Sequence, residues 1–273
     1  MAKIFNRLCI HTITTKPWSI EEATEHYLAI GVKGMTVWRE ALAGRQPFKV
    51  GERLLTAGIE VVSLCRGGFF PSASLSLRQK NIDENFKALE EAAALNAPHL
   101  VLVCGAEPNQ SLEASREQIL AGIETILPRA EALNVKLAIE PLHPMYADTR
   151  SAINTLGQAN DLAEKIDSPM VGVAVDVYHL WWDPMLENEI RRCGNNGHLL
   201  AYHICDWKYP VEDILNDRGL MGEGCIDISK ISQWIAATGF NGYHEVEIFS
   251  NRYWTMDQQQ FLRKIIKAYQ DLS

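Results

Sequence analysis

Five times along the chain a stretch with helical spacing stops at a glycine or an asparagine, and a short apolar run follows within a few positions. The stops are Gly31, Gly58, Asn96, Asn134 and Gly239. Both residue types tolerate the left-handed backbone that ends many α-helices, so each stop reads as a helix C-terminus. The runs behind them predict strands over Met35–Trp38, Val61–Cys65, Leu100–Cys104, Val135–Glu140 and Tyr243–Ile248. Leu8–Thr12, Val171–Asp176 and Leu199–Cys205 bring the set to eight. Helical segments lie between them, some opening on capping boxes such as Ser19 with Glu22 and Thr255 with Gln258.

Strand and helix in alternation imply parallel pairing, because each crossover carries the chain back to the same end of the sheet. Eight such units close most simply into an α/β fold, a (β/α)8 TIM barrel with an outer ring of helices. The rival layout, an open doubly wound sheet, lacks its signature. No G-x-G-x-x-G follows the first strand, and Cys104-Gly105-Ala106-Glu107-Pro108 is no phosphate cradle. A chain of 273 residues suits one barrel, so a single domain over 1–273 is expected.

Hydrophobic residues make up 47% of the sequence and charged ones 22%, the balance of a chain able to bury a core. The formal net charge of −8, with no basic run, argues against nucleic acid as a partner. No apolar stretch approaches the ~20 residues that span a bilayer, and the N-terminus lacks a signal-peptide core, so no membrane partner and a cytoplasmic location are expected. Six cysteines are scattered without a C-x-x-C pair and read as reduced thiols.

Catalytic groups of such barrels gather at the C-terminal ends of the strands. Here those ends carry His11, Trp38, Arg66, Cys104, Glu140, Asp176 with His179, His203 with Asp206, and Glu245 with Glu247. Alternation along each strand puts Glu140 on the face of Ala138, Asp176 on that of Ala174 and His203 on that of Ala201, all pointing into the barrel, and sets Glu245 and Glu247 on one face together. Each residue alone is better read as an ordinary salt-bridge partner. Two carboxylates, an imidazole and a third carboxylate on four successive strands are better read as the ligands of one divalent metal ion, Mn²⁺ first and Mg²⁺, Co²⁺ or Zn²⁺ as alternatives. A cation also explains how several like charges are tolerated in one pocket.

The runs Ala138-Ile139-Glu140-Pro141, Val173-Ala174-Val175-Asp176-Val177-Tyr178-His179, Tyr202-His203-Ile204, Gly222-Glu223-Gly224 and Gly242-Tyr243-His244-Glu245-Val246-Glu247 resemble the xylose isomerase-like barrel superfamily of sugar phosphate isomerases and epimerases. The match runs from about the fifth strand to the C-terminus, and its closest flavour is 2-keto-myo-inositol (inosose) isomerase, because His143-Pro144 follows the strand-5 Glu and Val246-Glu247-Ile248-Phe249 precedes Tyr253. The resemblance implies metal ligation by Glu140, Asp176, His203 and Glu247, the family's spacing selecting Glu247 over Glu245, and substrate binding by His179 and Arg218. A further Glu that ketose 3-epimerases carry after strand 5 is replaced by Pro144-Met145-Tyr146. The extra histidines of barrel endonucleases are replaced by Cys65-Arg66 and Cys104-Gly105.

The activity so implied is isomerisation or epimerisation of a ketose, inosose or related sugar, by proton transfer through a metal-stabilised enediolate. Glu140 and Glu247 exchange base and acid roles. Trp181, Trp182, Trp207 and Trp254 offer flat surfaces to a sugar ring, and His143 and His11 offer bonds to its hydroxyls. Arg218 and Lys208 are the candidate contacts to a phosphate, and phosphorylation of the substrate stays open, as does assembly into a homo-oligomer. Two other readings stand beside this one: a metal-dependent dehydratase of an inosose or dehydroshikimate-like substrate, and a non-catalytic barrel that binds carbohydrate.

Overall fold

A computed structural model describes residues 5–272. Its strands are β1 (Phe5–His11), β2 (Val32–Trp38), β3 (Glu60–Gly68), β4 (His99–Val103), β5 (Lys136–Glu140), β6 (Val171–Asp176), β7 (Leu199–Ile204), the short β8 (Asp206–Trp207) and β9 (Arg218–Gly219), and β10 (His244–Val246). Eight of these close a barrel in the order β1-β10-β7-β6-β5-β4-β3-β2 with every pairing parallel, and β8 and β9 form an antiparallel ribbon beyond β7. The helices are α1 (Ile20–Ala29), α2 (Pro47–Ala57), α3 (Leu75–Ala94), α4 (Leu112–Leu133), α5 (Leu156–Ile166), the short α6 (Val177–Leu180), α7 (Leu186–Asn195), α8 (Ile228–Ala237), α9 (Asn251–Trp254) and α10 (Gln258–Asp271). None of them is long and apolar enough to cross a membrane.

The five expected helix stops all have positive φ, from 53° at Asn134 to 91° at Gly58. Two further junctions use the same device without a residue the sequence pattern flagged: Asp167 (φ 50°) ends α5 and Gly197 (φ 70°) follows α7. Ser19 and Glu22 form the expected capping box on α1. The one expected at Thr255 and Gln258 does not form. Asp257 caps α10 by accepting from Gln260 N at 2.8 Å, while Thr255 donates back to Arg252 O and Gln258 donates to Tyr253 O. A carboxylate is the stronger acceptor at a helix N-terminus, so the helix begins two residues later.

Strand alternation divides the core in two. Leu8, Ile10, Leu100, Leu102, Leu137, Ile139, Val173, Val175, Tyr202 and Ile204 face the helices in one large apolar layer. Burying each such aliphatic side chain stabilises the fold by about 1.5–3 kcal/mol. Cys65, Val101, Ala138, Ala174 and Ala201 face inward with Ile13, Trp38 and Phe249. The three alanines each stand two residues before Glu140, Asp176 and His203, so small side chains occupy the interior directly below the polar ends of β5, β6 and β7.

Candidate active site

Glu140, Asp176, His203 and Glu247 come together at the C-terminal end of the barrel. One donor atom from each lies within 4.8 Å of the other three, and all four side chains are buried. His203 Nδ1 stands 3.0 Å from Glu140 Oε1. Asp176 is held by both oxygens: Oδ1 accepts from Tyr178 N at 2.8 Å and caps α6, while Oδ2 accepts from Arg218 Nη1 at 2.9 Å. The same Nη1 donates to Glu247 Oε2 at 2.7 Å. Three carboxylates and an imidazole in mutual reach fit a divalent cation of intermediate hardness, with His203 Nδ1 turned toward the cluster.

Arg218 reaches this point through the β8–β9 ribbon. Asp206, fully buried, accepts from the backbone N–H groups of Trp207, Gly222, Gly224 and Ile226 at 2.8–3.0 Å and so folds the Gly222-Glu223-Gly224 turn around itself. A side chain at 224 would meet Trp207 O at 2.1 Å, which explains the second glycine. The guanidinium of Arg218 lies between the rings of Tyr178 (4.5 Å) and Phe249 (5.1 Å), and its Nη2 is 3.1 Å from His179 Nε2. Sequence reasoning did not single out Tyr178 or Phe249. Both sit beside motif residues, but only the ribbon's course shows that they flank Arg218.

A second layer lies deeper. Glu245 Oε2 accepts from Thr36 at 2.6 Å, lies 3.1 Å from His11 Nε2 and 3.4 Å from Ser63 Oγ, and stands 3.8 Å from His203 Nε2. His11 thereby bridges the layers, its Nδ1 3.1 Å from Glu247 Oε1. In this arrangement both of its ring nitrogens face carboxylates of the site, and it has no exposed surface. Thr36 and Ser63 were not legible as site residues, because each is one hydroxyl on an otherwise apolar strand. His11 with His203 and Glu245, and His11 with Cys65 and Glu247, are further groupings with metal-binding reach. The first shares His203 and the second shares Glu247 with the four-residue cluster, which gathers the most donor atoms and is the better candidate.

Burial and charge set the protonation states. Burial alone would depress the His203 imidazole, but the Glu245, Glu140 and Glu247 carboxylates outweigh it and raise it to about 10. Burial acts likewise on His11 and is overcome by Glu247 and Glu245. Asp176 is pushed up to about 7 by burial, against the pull of Arg218. Glu247 is held well below the usual carboxylate range, burial being outweighed by Arg218 and His11. His179 is depressed by burial and then by Arg218, so it is neutral, and its buried Nδ1 has no partner.

The other expected substrate contacts gather beside the cluster. His143, Trp207, Trp181 and Tyr178 form one aromatic wall, with centroids at 5.0 Å for His143–Trp207, 5.6 Å for Trp181–Trp207 and 4.8 Å for Tyr178–Trp207. Trp181 Nε1 is buried without a partner, whereas Trp182 and Trp254 spend their N–H groups on His179 O and Ile13 O. Lys208 is bound to Asp217 at 2.5 Å and Arg218 to Asp176 and Glu247, so neither is free in this arrangement to hold a phosphate.

Comparison with known proteins agrees with the architecture. Protein SMc04130 of Sinorhizobium meliloti 1021 has a crystal structure that superposes with a TM-score of 0.94 at 44% identity, over 98% of both chains. The IOLI protein with a bound zinc atom superposes at 0.85 with 20% identity over 97% of both chains. An inosose isomerase of Halalkalibacterium halodurans is 24% identical over 189 residues, 67% of this chain and 65% of that protein, so the match spans just under two thirds of that relative's length. The closed parallel barrel and a profile match over residues 25–265 together establish that the chain belongs to the xylose isomerase-like TIM barrel family.

Proposed function

We propose that this protein is a divalent-metal-dependent isomerase or epimerase of an inosose, ketose or related sugar. The observation that carries the reading is the convergence of Glu140, Asp176, His203 and Glu247, with one donor atom from each inside 4.8 Å of the rest. Similarity to inosose isomerases and the zinc of the IOLI protein support it. Glu140, Asp176, His203 and Glu247 would hold the ion, Mn²⁺ being the first candidate, and the bound ion would supply a Lewis acid to a carbonyl and its neighbouring hydroxyl.

The chain's own residues do the rest. Glu140 ends β5 and Glu247 follows β10, with β6 and β7 between them in the barrel, so the two carboxylates reach a sugar from different sides. One takes the proton from carbon at a carboxylate oxygen and the other returns one, exchanging base and acid roles between directions. His179 and Arg218 orient the hydroxyl oxygens, and the wall of His143, Trp181 and Trp207 covers the C–H face of the ring and keeps water out.

Metal analysis of the purified protein, followed by solvent-deuterium incorporation into a panel of inososes and ketoses, tests the reading. Glu140→Gln and Glu247→Gln should each abolish incorporation while the fold survives. Retained turnover in Glu247→Gln would move the role to Glu245. Appearance of an unsaturated chromophore instead of deuterated isomer would replace isomerisation by dehydration. Absence of metal and of exchange with every sugar would leave a carbohydrate-binding barrel.

A further inference from the structure

Among the described residues, every buried or half-buried arginine has a hydrogen-bonded or ionic partner except Arg66 and Arg150. Arg7, Arg78 and Arg116 donate to backbone carbonyls, and Arg39, Arg45, Arg192 and Arg218 are paired with carboxylates. Arg66 and Arg150 have no carboxylate within 4.0 Å, and Arg66 Nε is enclosed without any acceptor. In a chain with 34 acidic and 26 basic residues, two half-buried guanidiniums stand at one place without a counter-ion, and the Arg66 Nε donor is buried unpaired.

They do share one place. Arg66 sits in the register shift of β3, between Cys65 paired with Val101 and Gly67 paired with Leu102, and its Cζ lies 4.2 Å from the Phe69 ring. Arg150 closes the loop after β5, with its Cζ 6.0 Å from the Tyr146 ring. Phe69 and Tyr146 belong to one small apolar cluster with Val103 and Leu142. Backbone bonds pin the two segments to β4 and its end: Phe69 N to Val103 O at 2.8 Å and Gly105 N to Arg150 O at 2.8 Å. The Arg66 guanidinium is held below its ordinary range by burial and next by the positive charge of Arg150, so each feels the other.

The pair also adjoins the metal-ligand candidates. The Tyr146 ring that carries Arg150 stands 5.7 Å from His179, the residue bonded to Arg218. Arg66 follows Cys65, whose Sγ reaches His11 and Glu247. On its other side Arg66 lines a cleft of about 220 Å³ with Arg39, Phe69, Asn81 and Glu84. Arg39 is already engaged by Glu91 and Glu84 and leaves Arg66 as the free cation there.

We propose that Arg66 and Arg150 form an anion subsite on the β3–β5 rim of the barrel, and that the sugar processed at the Glu140, Asp176, His203 and Glu247 cluster carries a phosphate or carboxylate at the end remote from its carbonyl. Two planar guanidinium forks, one over the Phe69 ring at 4.2 Å and the other 6.0 Å from that of Tyr146, suit an oxyanion better than a neutral hydroxyl. The substrate half rests on the isomerase reading above, and the anion-binding half does not.

Two measurements keep those halves apart. In the first, the wild-type protein is treated with phenylglyoxal, which modifies accessible guanidiniums, and the rate at each arginine is read by peptide mass spectrometry with and without inorganic phosphate or acetate. Phosphate or acetate at roughly ten times its dissociation constant should slow modification of Arg66 and Arg150 by about tenfold and leave exposed Arg252 and Arg263 untouched. Which of the two anions protects tells phosphate from carboxylate. Equal rates at Arg66 and Arg150 with either anion overturn the subsite.

In the second, deuterium incorporation by the metal-loaded protein is compared for a neutral ketose, its terminal phosphate and its terminal carboxylate. One anionic sugar should exceed the neutral one by about tenfold or more in kcat/KM, carried by KM, and Arg66→Met or Arg150→Met should erase that preference while sparing the neutral sugar. Preference for the neutral sugar overturns the substrate half. Protection by anions without exchange on any sugar removes the isomerase reading and keeps the subsite.

Discussion

Arg218 Nη1 lies 2.7 Å from Glu247 Oε2, and through the same nitrogen it reaches Asp176, so a guanidinium bridges two of the four carboxylate and imidazole groups offered to a cation. Arg218 and a divalent ion therefore compete for the same oxygens. Arg218→Met should tighten Mn²⁺ binding and destabilise the protein in chelator by about 3–5 kcal/mol, the usual loss when one partner of a buried ion pair is removed. Most of that loss should vanish when Mn²⁺ is added. Thermal unfolding with chelator and with Mn²⁺ reads both effects, and an unchanged transition in chelator would show that Arg218 does not hold the cluster together.

Metal binding should also release a proton. His203, raised to about 10 with no metal bound, carries a proton at neutral pH on a ring whose Nδ1 faces Glu140. An ion has to displace it, so acid competes with metal and affinity rises as pH is raised from 6 to 8. Titration calorimetry in buffers of different ionisation enthalpy should report roughly one and a half protons released per ion at pH 7, one from His203 and about half of one from Asp176. A pH-independent affinity would contradict this state of His203.

Glu245 is a positioning residue on this geometry. Its Oε2 receives Thr36, lies beside His11 and Ser63, and stands 3.8 Å from His203 Nε2, beyond hydrogen-bond distance, so it acts on that ring through its charge. Glu245→Gln should keep the fold and weaken Mn²⁺ binding by about tenfold or less, because it removes a negative charge near the ion without breaking a hydrogen bond to His203. Equilibrium binding with a circular dichroism control checks it, and a wild-type affinity would leave Glu245 without this role.

At the opposite end of β10, His244 is lowered to about 4 by burial and then by Arg7. Its ordinary value in the unfolded chain is near 6.5, so between those values the unfolded chain binds the extra proton. The stabilisation is complete above about 6.5 and is lost as pH falls toward 4. His244→Gln should flatten the fall in urea stability over that window relative to wild type. An unchanged slope would place the acid sensitivity elsewhere.

Local patterns of residues are enough to specify the barrel and the face on which each strand presents its polar end. Helix stops at Gly31, Gly58, Asn96, Asn134 and Gly239 and the alternation of Ala138 with Glu140, Ala174 with Asp176 and Ala201 with His203 are local properties, set within a turn of helix or two residues of strand. Depth was another matter. Glu245 and Glu247 share a face, and nothing local separates them. Pairing with β7 sets Glu245 level with His203, over the Thr36 and Ser63 hydroxyls, and leaves Glu247 one layer higher beside Asp176 and Arg218. The place of Arg218 was equally hidden, since it depends on Asp206 gathering the backbone of Gly222, Gly224 and Ile226. Side-chain direction follows from the pleat of one strand, whereas which groups meet follows from the register between strands far apart in sequence, and only the closed barrel fixes that.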